Sequence, residues 1–306
     1  MSGTPFSSIA TSRISTGFTT CPTCDVPSGI VRVALSDREL GVHRVTSSTT
    51  HALVVPPIQV PGGDASTFAW EAVYSRGSIN PGNKTCPPGG FGFYMRGPGQ
   101  FADALKRLGG GEEVVLGYDV LFEDGFEWVK GGKLPGIFGG VGDHAYGCSG
   151  GRQNGRCMCF DLRLMWRGKG MGELYAYLPH EQRNTDRLLP IPPKSIQHPD
   201  YGFSVGRGAW TFTARKWTRV LELVKMNALG KEDGEIRVYI DGKLVIHATG
   251  LILRTEQGQD GRVQGLHFQT FFGGNSPDWA SPKDQRAWFA NISGAILRPG
   301  TQHDEL

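Results

Sequence analysis

The chain has 306 residues, 39% of them hydrophobic and 20% charged, which is enough apolar material for a packed core and excludes a disordered chain. Its formal net charge of +3 is modest and spread along the sequence. That excludes a dedicated nucleic-acid binder and leaves an anionic sugar polymer acceptable as a partner. No run of 18 apolar residues is present, so no membrane-spanning helix is expected.

Residues 1–50 are rich in Ser and Thr and broken by Pro and Gly, which predicts a weakly structured N-terminal arm with at most a strand over 30–35. From Phe68 to about Pro299 short apolar runs alternate with Gly, Pro and Asp, and a tail follows at 301–306. Strands are expected over 51–55, 70–74, 113–122, 162–166, 174–178, 217–226, 236–240 and 244–247. Asp241-Gly242 between the last two is a two-residue hairpin signal. One short helix is expected over 101–108, ending at Gly109. With 45 glycines, 19 prolines and so little helix, the pattern predicts an all-β domain over 51–300, a sandwich or jelly roll.

Six cysteines occur, at 21, 24, 86, 148, 157 and 159. Cys21 and Cys24 form an isolated CxxC, read as a local disulfide or free thiols in preference to half of a zinc site. Sequons at Asn83 and Asn291 suit a secreted protein, and the final HDEL reads as an endoplasmic-reticulum retention address. The N-terminus shows no signal-peptide pattern. The secretory pathway or the extracellular space is therefore the expected compartment.

Side chains two apart in a strand share a face. Asp161, Arg163 and Met165 thus share one face, and so do Glu173, Tyr175 and Tyr177 on the strand reached through the turn Gly168-Lys169-Gly170. A hairpin there sets Arg163 against a tyrosine pair. The blander readings are tyrosines as packing, Arg163 as an ion-pair partner of Glu173 and Lys133 as a solvated side chain. Lys133 lies in a Gly-Gly-Lys-Leu-Pro-Gly stretch, 131–136, expected to be neither regular strand nor helix.

These residues sit in motifs that resemble polysaccharide lyase family 14. The matching stretches are WEAVYSRGSINP (70–81), GGFGFY (89–94), GGKLPG (131–136), CSGG (148–151), MWR (165–167), GELYAY (172–177), GRGAW (206–210) and TFFGG (270–274). The resemblance implies a β-jelly-roll with an acidic polysaccharide lying across a concave sheet. It also implies that Lys133, Arg163, Tyr175 and Tyr177 are catalytic and that Cys148 pairs with Cys159. Cys157 lies in a loop two residues longer than in the relatives, which keeps Cys148–Cys157 open as an alternative. Where some relatives carry serine, this chain has Asp161, and a carboxylate there repels a polyuronate unless a cation neutralises it. Gln269, Thr270 and Asn275 are candidate outer-subsite residues, and Trp210 and Trp279 are candidate stacking residues, each with core or turn structure as the competing reading.

The implied reaction is β-elimination from a uronic acid. A lyase must neutralise the carboxylate, take the C5 proton and protonate the leaving oxygen on C4. Arg163 suits the carboxylate, with Lys133 sharing that role or acting as base. Tyr175 and Tyr177 are the expected base and acid, with tyrosine ionisation made easier by Lys133 and Arg163. The scheme needs no metal or other cofactor, and a monomer is expected. Two rival readings remain: a glycoside hydrolase using Asp161 and Glu173, and a non-catalytic module that binds acidic polysaccharide.

Overall fold

Strands with one apolar and one polar face bury themselves by stacking sheet on sheet. The computed structural model, which describes residues 4–108 and 111–300, consists of two such sheets. One runs from edge to edge through Lys243–Leu251, Gly234–Ile240, Thr218–Lys225, Glu113–Phe122, Gln285–Leu297, Ile14–Thr19 and Ile30–Arg32. Ala69–Tyr74 pairs with the first half of Gln285–Leu297, beside Ile14–Thr19 on the second half, and Ala52–Val54 adds to its outer edge. The facing sheet is ordered Ile196–Gln197, Phe203–Val205, Gly172–Tyr177, Cys159–Arg167, Gly131–Gly140, Arg262–Phe272, Phe91–Met95 and Val42–His43. Between them lies an aromatic core that includes Trp70, Phe93, Phe268 and Phe289 towards one end and Phe122, Trp166 and Phe272 towards the other. This is the all-β jelly-roll sandwich that the sequence predicts.

The predicted strand over 113–122 is present end for end, and the Asp241-Gly242 hairpin turns with φ of 49° and 84° at its two central residues. The helix is Gly99–Lys106, two residues earlier than expected.

Two expectations are corrected. The N-terminal 50 residues are not a weakly structured arm: Ile14–Thr19 lies inside the sheet, Phe6 and Phe18 are fully buried, and a Cys21–Cys24 disulfide closes the following turn. The apolar side chains there are few but buried, and even Thr19 is buried with its hydroxyl bonded to Ser293, so the average composition hides the strand. Residues 131–136 belong to a regular strand, Gly131–Gly140, interrupted by one bulge. Asn291 is also not a free sequon. It sits at a bulge with φ of 52°, and its side-chain amide donates to Pro61 O and Asp119 Oδ2 at 2.8 Å each. The HDEL tetrapeptide lies outside the described residues. No helix among the described residues is long and apolar enough to cross a membrane.

Candidate active site

The site is built on the outward face of the second sheet. In Cys159–Arg167 the residues Leu162, Leu164 and Trp166 point into the core, which turns Asp161, Arg163 and Met165 outward. In Gly172–Tyr177 the same alternation buries Leu174 and Ala176 and turns out Glu173, Tyr175 and Tyr177. The two strands pair with Tyr175 opposite Arg163 and Tyr177 opposite Asp161, the register the sequence predicts.

Lys133 reaches this face because of the bulge. Lys133 pairs with Met165 and Gly136 with Arg163, so Leu134 and Pro135 together oppose a single residue, Leu164. Proline has no N–H to give a ladder and is accommodated at such a bulge. Two side chains from the opposite sheet hold it from behind. Tyr118 Oη donates to Pro135 O at 3.1 Å, and Glu222 Oε2 accepts from Ile137 N at 2.7 Å. Gly136 is required for close approach: a Cβ there would lie 1.8 Å from Leu162 O.

The result is a tight group. Lys133 Nζ lies 3.4 Å from the centroid of the Tyr175 ring and 5.4 Å from that of Tyr177, and the two rings are 5.2 Å apart. Met165 Sδ is 3.0 Å from Lys133 Nζ. Lys133 and Tyr175 each expose 8% of their surface, Tyr177 4% and Arg163 2%. Burial pushes the lysine well below its ordinary pKa, and the charges of Arg163 and Arg167 push the same way. Burial raises both tyrosines. Tyr177 adds to the rise at Tyr175, and at Tyr177 the opposing charge of Arg163 does not cancel it. The expectation that neighbouring cations make these phenols easier to ionise is therefore corrected, because loss of hydration outweighs the attraction.

The remaining residues expected at the site fall into three groups. Gln269 faces the site but is committed to Arg163, which donates Nη1–H to Gln269 Oε1 at 3.0 Å and Nη2–H to Gln269 O at 2.7 Å. Asp161 lies on the same face, bonded to His267 Nδ1 at 2.8 Å. Asn275 is exposed in the turn after Arg262–Phe272, and Thr270 points into the core, bonded to Tyr74. Trp210 packs on Gly172 and Phe212 as core, whereas Trp279 stays half-buried with Arg167 5.9 Å from its ring. Arg167 is equally 5.9 Å from the Tyr175 ring, so it links Trp279 to the central group.

Cys148 and Cys159 form a disulfide, and Cys157 is free. The bridge anchors a loop in which Gly150 bonds Tyr177 through its backbone and Arg156 stands 5.2 Å from the Tyr177 ring. Glu173 has no freedom to act as an acid. It accepts from Arg167 at 2.6 Å, Arg207 at 2.6 Å and Ser204 at 2.7 Å. Burial alone would raise its pKa, but the two guanidiniums win and hold it below the ordinary carboxylate range.

Sequence reasoning missed His267 and Glu222. His267 lies two residues before Gln269 in the same strand, so period two was the available signal. Glu222 is a carboxylate in an otherwise apolar strand run, Val220–Val224, which is the signature of a buried polar group with a task.

Among curated protein sequences no match is found. The profile of Polysaccharide lyase 14 matches residues 63–292. Among solved structures, the marine PL-14 alginate lyase from Aplysia kurodai is 34% identical, with a TM-score of 0.67 over 84% of this chain and 90% of that one. An alginate lyase from a Chlorella virus shares the fold at 22% identity and a TM-score of 0.60, over 85% of this chain and 93% of that one. A family profile spanning three quarters of the sequence, together with that marine relative, decides the assignment: the chain belongs to polysaccharide lyase family 14.

Proposed function

We propose that the protein cleaves a polyuronate by β-elimination, with Lys133 as base, Tyr175 as acid and Arg163 neutralising the substrate carboxylate. The observation that carries this is the 3.4 Å contact of the Lys133 amine with the Tyr175 ring, in register with Arg163. A buried lysine with a lowered pKa offers its free amine at lower pH than an exposed lysine does, and a phenol with a raised pKa keeps its proton until the leaving oxygen needs it. The Tyr175 hydroxyl has no hydrogen-bond partner among the described residues, so it is available to the substrate.

In the reaction, Lys133 Nζ takes the proton from C5, and the electron pair moves into the C4–C5 bond as the C4–O bond breaks. The Tyr175 hydroxyl proton passes to the departing oxygen. The positive charge of Arg163 stabilises the enolate that develops on the carboxylate. Base and acid stand on the same side of the sheet, which favours uronates whose C5 hydrogen and C4 oxygen share a face. Mannuronate and glucuronate meet that condition, and the 34% identical relative is an alginate lyase. Each charge in the scheme comes from a side chain, and we read the reaction as independent of metal.

Paired-carboxylate hydrolysis has little support here, because Glu173 is fully buried and clamped by two arginines. Two disulfides support a reading of the secretory pathway or the extracellular space as the compartment.

The test is ultraviolet absorbance of unsaturated uronate on polymannuronate, polyguluronate, glucuronan and pectin, with and without a chelator. The expected outcome is product from polymannuronate or glucuronan at an unchanged rate in chelator. Saturated products alone, or a rate lost to chelator and restored by calcium, would overturn the scheme.

A further inference from the structure

Asp161 and His267 meet across the strand between them, above Gly136, where no side chain intervenes. His267 pairs with Gly136, which pairs in turn with Arg163, so the imidazole stands in the row of the catalytic group. Its ring is stacked on Tyr94 at 4.2 Å, which fixes its plane. Burial keeps the imidazole neutral, Arg163 and Lys133 act in the same direction, and Asp161 opposes them without prevailing. A neutral imidazole beside a carboxylate carries its proton on the nitrogen that faces the carboxylate. Nδ1 is therefore the donor to Asp161, and Nε2 holds a lone pair. No described residue hydrogen-bonds Nε2, and it is not among the atoms sealed from solvent.

We propose that His267, oriented by Asp161, is a substrate-recognition residue whose Nε2 accepts a hydrogen bond from a sugar hydroxyl in the cleft. The inference rests on the polyuronate-lyase reading above and adds a binding contact beside its catalytic group. Asp161 is a positioning residue in this arrangement. Its carboxylate is turned to the imidazole, so it orients the ring and leaves the substrate carboxylate to Arg163.

Two substitutions separate the ring nitrogens. His267→Asn keeps a donor towards Asp161 and removes the acceptor in the cleft, whereas His267→Gln places an amide oxygen near the Nε2 position. On the polyuronate that the wild type cleaves, His267→Asn should raise KM by about tenfold with kcat within about threefold, the loss of one binding hydrogen bond. His267→Gln should recover most of that loss. Equal KM values for the wild type and both variants would overturn the proposal and leave the lyase reading intact. Independently of folding in those variants, nitrogen NMR of histidine-labelled Lys133→Ala protein should show an unprotonated Nε2 that shifts on adding an oligomer of the same uronate. An Nε2–H tautomer, or no shift at saturation, would also overturn it. If the wild type makes no unsaturated product from any polyuronate, the lyase reading falls and this one falls with it.

Discussion

Glu222, on one sheet, accepts the backbone N–H of Ile137, on the other, at 2.7 Å, so the bulge that presents Lys133 is fastened through the core. Burial raises the Glu222 carboxyl well above its ordinary pKa, with Asp161 adding to the rise, so it keeps its proton to higher pH than an exposed carboxyl does. The folded state then holds a proton that the unfolded state has lost, and stability falls as pH climbs from the ordinary carboxylate range towards the raised value. Glu222→Gln should flatten that fall in thermal-denaturation curves taken across pH. Curves parallel to the wild type would show that Glu222 is not titrating in this window. Glu222→Leu leaves the Ile137 N–H buried without a partner and should cost about 1–3 kcal/mol, with a lower kcat.

Activity should depend on the three central side chains to different degrees. Lys133→Ala and Tyr175→Phe remove the proposed base and acid and should lower kcat by about 10²–10⁴-fold with the fold retained. Tyr177→Phe removes a phenol already engaged by Gly150 and should lower it by about tenfold or more. Steady-state rates on polymannuronate and glucuronan, with circular dichroism as the fold control, check this. Near-wild-type turnover in Tyr175→Phe would remove the proposed acid.

The pH profile follows from the same shifts. In the proposed mechanism the free amine of Lys133 is the active form, so kcat/KM should rise with pH along a limb below the ordinary lysine range of about 10.4. The raised Tyr175 places the falling limb above about 10. Stability carries a matching sign. The unfolded chain binds a proton at Lys133 that the folded one releases, so this group's contribution improves as pH rises to the ordinary lysine value. Lys133→Met, which suits the Met165 contact, should therefore stabilise the fold near neutrality by about 1–2 kcal/mol while abolishing turnover. A destabilised Lys133→Met would contradict the burial cost inferred here.

The Cys148–Cys159 bridge closes a loop of sequence separation 11. Replacing both cysteines with serine should cost about 2–3 kcal/mol on the loop-entropy view. It should also raise KM, because the released loop carries Gly150 and Arg156 beside Tyr177. Peptide mapping without reductant checks the pairing, and finding Cys148 joined to Cys157 would overturn it.

Much of the site was legible because it lies on neighbouring strands with clean alternation. Arg163, Tyr175 and Tyr177 could be set on one face from period two alone, and the observed register agrees. Lys133 could be singled out, but its strand could not. Gly131, Gly132, Gly136, Gly139 and Gly140 have no side chains to announce a strand, and the ladders on either side make it one. Gln269 was expected at the substrate and is found on Arg163, because a guanidinium buried to that depth needs its donors satisfied within the protein. Asp161 and His267 are 106 positions apart and two strands apart in the sheet, and no local pattern reports such a pairing.

The strand Gln285–Leu297 lies between Glu113–Phe122 on one side and both Ile14–Thr19 and Ala69–Tyr74 on the other. During synthesis these three strands emerge first, and each must wait with an unpaired edge until the chain has grown past residue 297. At about 5–20 residues per second the Ile14–Thr19 edge stays open for some tens of seconds after it has left the ribosome. Folding of this sheet is thus a late event dominated by distant contacts, a topology that folds slowly and exposes sticky edges while it waits. Low yield in a fast-translating host, relieved by slower synthesis or lower temperature, is the behaviour this arrangement dictates.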